Sequence, residues 1–116
     1  MNLELHREMY VADVQHQFEK FYPFLKLEFY KSSADKILLK PINKKLSWFG
    51  MHNLETQWIN ISAIKTIANI IDELEKKYEL HAAIFRKSGN VWIEITETKD
   101  WTLQQQNEEG KLFEKV

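Results

Sequence analysis

A hydrophobic stripe that recurs 56 positions along the chain constrains this sequence more than any other feature. Over 10–22 the apolar residues Val11, Val14, Phe18 and Phe21 follow the three- and four-residue spacing of one helix face, with Asp13, Gln15, Gln17, Glu19 and Lys20 on the others. Ile64, Ile67, Ile71, Leu74 and Tyr78, widened by Ile70, form the second stripe, and Asp72, Glu73, Glu75, Lys76 and Lys77 turn to water. Short apolar or alternating runs flank each stripe: Leu3-Glu4-Leu5 and 25–30 around the first, 58–61 and 80–86 around the second. One ungapped shift carries Leu3 to Ile59, Leu5 to Ile61, Val11 to Ile67, Val14 to Ile70, Phe18 to Leu74, Tyr22 to Tyr78 and Phe29 to Phe85. The pattern reads as an internal repeat of 3–32 and 59–88.

Two β-α-β units in 116 residues suit a single domain, 1–116. They predict an α+β fold: a ferredoxin-like two-layer sandwich from duplicated β-α-β units, with one sheet, both helices on one face, an extra strand and a short C-terminal helix. A different α+β arrangement of the same elements is the alternative. Pro23 ends the first helix, because the residue before a proline is pushed out of the α region. Ser62 or Thr66 caps the second. Residues 31–45 carry five lysines against one aspartate and read as a mobile basic loop, with Ile37-Leu38-Leu39 as a short edge strand ended by Pro41. One helical turn, broken at Gly50, fits 46–54.

The stretch 86–110 joins a hairpin, an alternating strand and a helix start. A three-residue loop, Ser88-Gly89-Asn90, would pair Lys87 with Val91, Phe85 with Ile93 and Ala83 with Ile95, giving one apolar face for the helices to cover. The other face would then hold Arg86 stacked on Trp92 as a cation–π pair, with Glu94 and Thr96. The repeat adds Lys26, Glu28 and Tyr30 to it. Lys26, Glu28, Tyr30, Arg86, Trp92 and Glu94 are therefore the candidate interaction surface. Trp101 opens the last helix and is expected to fold over Trp92 and close that face. Asp100, or Thr102 with Gln105 in a capping box, starts this helix, and Gly110 stands where a C′ glycine would end it.

The combination Arg-Lys-Ser-Gly-Asn-x-Trp-x-Glu followed by Asp-Trp-Thr-Leu-x-x-Gln-Asn-x-x-Gly resembles the C-terminal part of a group of small, functionally uncharacterised bacterial proteins. The resemblance covers roughly 78–110. It implies no catalytic residues and no activity.

With no cysteine there is no disulfide or thiolate chemistry. No run of about 18 apolar residues spans a membrane, and the N-terminus has no secretory h-region, so a cytoplasmic protein is expected. The histidines, His6, His16, His52 and His81, lie too far apart in sequence to share a helical turn as metal ligands. His81, in line with Leu25 of the first unit, reads as a partly buried structural residue. No nucleophile elbow, phosphate-binding loop or dinucleotide fingerprint occurs. No catalytic residue, cofactor or metal is expected. The reading is a non-catalytic binding or assembly module acting through a protein partner or self-association. The rival is a small enzyme whose site leaves no motif. A single-stranded nucleic-acid binder using Tyr30, Trp92 and the lysine-rich loop comes third; a net charge of −1 and the lack of a Gly-Phe-x-Phe strand disfavour it.

Overall fold

The structure, a computed structural model, describes residues 1–32 and 42–114. Both amphipathic segments are helices where their stripes place them. α1 is Val11–Phe21 and follows β1, Asn2–Leu5; β2, Leu25–Tyr30, comes next. α2 is the single turn Leu46–Phe49. The second unit has β3, Gln57–Asn60, then α3, Ile67–Tyr78, then β4, His81–Ser88. β5, Val91–Glu94, and α4, Leu103–Glu114, follow.

Local chemistry sets the ends. The Thr66 hydroxyl accepts the Asn69 N–H at 3.1 Å, and Asn69 Oδ1 accepts the Thr66 N–H at 3.2 Å, so α3 starts at Thr66. Ile64 therefore falls outside the helix and is 80% exposed. Thr102 and Gln105 form the same reciprocal pair at the start of α4, at 2.9 and 3.1 Å. Gly110 does not end α4. It lies inside the helix, buried against Phe24.

The α+β class stands, but the strands form two antiparallel sheets rather than one: β1-β3, and β2-β4-β5. α1 packs on β1 and β2, α3 on β4, and α4 on β4 and β2. Leu3, Leu5, Phe18, Leu27, Ile59, Ile61, Ile67, Leu74, Ile84 and Leu103 are all fully buried in one continuous core. Each such side chain contributes about 1.5–3 kcal/mol.

Backbone bonds correspond between the units beyond anything the side chains suggest. The Met9 N–H donates to His6 O at 2.9 Å, and Lys65 N–H to Ser62 O at 3.0 Å. The N-cap residues Tyr10 and Thr66 bridge to Lys45 and Thr102. Val11 N–H meets Lys44 O as Ile67 N–H meets Trp101 O, and Leu46 N–H meets Met9 O as Leu103 N–H meets Lys65 O, both of the latter at 2.8 Å. Ser47 N–H to Arg7 O matches Gln104 N–H to Ala63 O. Partners from the first part of each unit stand 56 residues apart, and those after the helix stand 57 apart. α3 is one residue longer than α1, 12 against 11. Leu27 lies directly opposite Ile84, 57 positions on, and both are buried.

A shift of 57 changes the alignment of β2 with β4. Leu25 answers to Ala82 and Phe29 to Arg86, not to His81 and Phe85. A one-residue slip moves every side chain of a strand to the other face. His81 is accordingly exposed, its Nδ1 3.8 Å from Glu75 Oε1, and not partly buried.

Of the expected basic loop, 33–41 lies outside the described residues, and so does Ile37-Leu38-Leu39. The described end is held by the Asn43 side chain, which accepts the Ala12 N–H at 3.1 Å, and by the Lys44 and Lys45 backbone contacts above.

Candidate interaction surface

The hairpin loop decides which side chains share a face, and it has two residues, not three. Ser88 pairs with Val91, Lys87 with Trp92, Arg86 with Ile93 and Phe85 with Glu94. Gly89, at φ 60°, takes the first central position, where a two-residue turn favours glycine. The three-residue loop is expected because it gathers Ala83, Phe85, Ile93 and Ile95 on one apolar face, but β4 turns Ile84 to the core side opposite Leu27.

Lys26, Glu28, Tyr30, Trp92 and Glu94 do share one face. Arg86 does not join them. It lies on the opposite face, between Leu25 and Ile93 in register. There its Nη1 donates to Gln106 Oε1 of α4 at 2.8 Å. Lys87, missed in the sequence, takes the cationic role instead, with its ammonium 5.7 Å from the Trp92 ring centre. The signal for it was the same hairpin, read one residue out.

Trp92 and Trp101 do not meet. α4 packs on the Arg86 face, so Trp101 faces Gln105, Glu108, Glu109 and Leu112. Trp92 borders Gln15, Glu19, Leu25 and Lys26 on the other side. The expected second hydrophobic layer over Trp92 is thus not formed by Trp101.

The Trp92 face is charged and partly shielded. Lys26 Nζ pairs with Glu28 Oε1 at 2.9 Å, and the Glu28 side chain is only 13% exposed. Ala83, opposite Glu28, is buried. Burial pushes the Tyr30 phenol up to about 12, and the nearby Glu94 and then Glu28 carboxylates act in the same direction. A raised acid pKa means that the folded chain keeps the proton after the unfolded chain, at its ordinary value of 10.0, has lost it. The resulting stability is fully present below pH 10 and is lost as pH rises from about 10 towards about 12. Tyr30→Phe should flatten this alkaline loss in unfolding midpoints measured across that range; an unaltered slope would contradict the assignment.

Three hollows on the described surface, of about 160, 260 and 210 Å³, are each smaller than the ~300–1,000 Å³ of small-molecule sites. Among the described residues no three His, Asp or Glu side chains converge as metal ligands would. No helix among them is long and apolar enough to cross a membrane. No protein-family model matches the chain, and neither a curated protein nor a solved structure gives a significant match.

β5 carries a run of exposed apolar residues. It is the outer strand of its sheet, and Val91, Trp92 and Ile93 are 57%, 37% and 53% exposed. Three consecutive large apolar residues at a sheet edge are uncommon, because such edges invite pairing with another chain.

Proposed function

We propose that this protein is a non-catalytic binding or assembly module acting through protein–protein contacts, self-association included. The reading rests on the exposed run Val91-Trp92-Ile93, continuous with the Trp92 face of Lys26, Glu28, Tyr30, Lys87 and Glu94. Large aromatics at such positions dominate binding energy in interfaces. Nucleic acid fits this face poorly, since the two carboxylates beside Tyr30 would repel a phosphate backbone.

An internal duplication belongs to the same proposal. It is supported by the paired backbone bonds at shifts of 56 and 57 and by the two strand-helix-strand units. The ferredoxin-like single sheet is not part of it, because β1 pairs with β3 and β2 with β4 in separate sheets.

The test compares wild type with Trp92→Ala in sedimentation and in affinity capture from native extract of the source cells. Loss of both self-association and captured protein, with an unchanged unfolding midpoint, supports the reading. Binding that survives Trp92→Ala, or wild type that binds nothing in either assay, overturns it.

A further inference from the structure

Among the described residues, three of the four outer strand edges are closed by a helix side chain. Gln17 of α1 accepts the Glu4 N–H at 2.9 Å and donates to Glu4 O at 3.0 Å, which finishes β1. Gln15 donates to Leu27 O of β2 at 2.8 Å. The Tyr78 hydroxyl lies 3.5 Å from Trp58 O of β3. β5 has no such cover at Trp92 among the described residues.

Two hydrogen bonds fix which way the Trp92 backbone points. Lys87, opposite Trp92, gives its N–H to Phe24 O on the far side at 3.0 Å. Ile95 N–H reaches back to Ile84 O at 2.9 Å. In an antiparallel ladder bonded and non-bonded pairs alternate, so the N–H and C=O of Trp92 turn outward.

We infer that β5 pairs antiparallel with β5 of a second copy of this chain, about a two-fold axis at Trp92. This pairing rests on the assembly reading above and specifies its partner and register. Each Trp92 N–H donates to the carbonyl of the partner's Trp92. Val91 then stands across from the partner's Ile93, and Ile93 across from the partner's Val91, which are apolar β-branched pairs of the kind that stabilise sheets. Both Trp92 side chains lie on the other face. Charge permits the match: Glu94, the one charged residue of β5, falls outside the three-residue contact, and the two copies sit at its opposite ends. A foreign strand could take the same hydrogen bonds, but β5 supplies both halves of the side-chain match itself. Three partly exposed side chains cover well under the ~800 Å² per partner of a standard interface, so the dimer is weak and forms as concentration rises.

The chain has no cysteine, which makes the register directly testable. Directly opposed, non-bonded positions have Cα atoms about 4.5 Å apart, within disulfide reach. Diagonal like positions, 91 to 91 and 93 to 93, are roughly 7–8 Å apart and beyond it. Val91→Cys and Ile93→Cys proteins should each stay uncross-linked under oxidation, and their mixture should give a covalent dimer in several-fold excess. Wild type should show an average sedimentation coefficient that rises with concentration, and Ile93→Lys should abolish the rise without moving the unfolding midpoint. A mixture that cross-links no more than the single variants overturns the pairing. If wild type still self-associates in that case, β5 pairing has failed and the assembly reading stands. Wild type that remains monomeric at every concentration also overturns the pairing, and Trp92-dependent capture then judges the assembly reading alone. Capture of a foreign chain that competes with the cross-link replaces the second copy as occupant and overturns the inference.

Discussion

Gly110→Ala should lower stability, although alanine is the better helix former by about 1 kcal/mol. Gly110 is the eighth of the twelve residues of α4, where the helix touches β2 and β4. A Cβ there would lie 2.8 Å from Phe24 Cβ, 3.1 Å from Phe24 O and 3.2 Å from Arg86 Cγ. Phe24 cannot retreat easily. Its N–H is held by Asn107 Oδ1 at 2.9 Å, and its carbonyl accepts the Lys87 N–H at 3.0 Å. Overpacking of this kind costs about 1–3 kcal/mol, enough to outweigh the propensity gain. Gly110→Val should cost more. The urea midpoint measures it, and a midpoint that rises for Gly110→Ala would mean that α4 stands farther from Phe24.

Gln106→Ala should cost about 2–4 kcal/mol, from lost hydrogen bonds and the space left behind. Gln106 is fully buried, with 0% exposure. Its Oε1 accepts from Arg86, and its Nε2 donates to Thr98 O at 2.8 Å and Thr98 Oγ1 at 2.7 Å. One amide thus joins β4, the loop after β5 and α4. Arg86 and Thr98 are both half-buried, and both lose this shared partner. Gln106→Leu keeps most of the volume and isolates the hydrogen-bond part, about 1–3 kcal/mol. A Gln106→Leu protein as stable as wild type would show that the amide does not hold α4 in place.

These two residues mark where sequence reading stops. Gly110 near the end of a helical pattern carries the same local signal whether it terminates the helix or lets another element approach. Gln106 stands in a Gln-Gln-Gln-Asn run that reads as a solvated face, and only the packing of α4 on β4 turns one of its amides inward. The sequence reading puts all six surface residues on one face, and five of them share it. Arg86 does not, and Lys87 stands beside Trp92 instead, because the hairpin loop has two residues rather than three.

Local sequence is enough to set the helices and most of their ends. Periodicity, Pro23, the Thr66 cap and the Thr102–Gln105 box act within a few residues of where they stand, so their effect needs no partner. It also marks the strand positions. Tertiary structure alone decided that the strands divide into two sheets, that β4 turns Ile84 and Arg86 rather than Ala83 and Phe85 towards the core side, and that Trp92 points away from Trp101. Strand partners and faces depend on register between distant segments, and because side chains alternate with a period of two, one residue added far from a strand is enough to exchange everything it buries for everything it exposes.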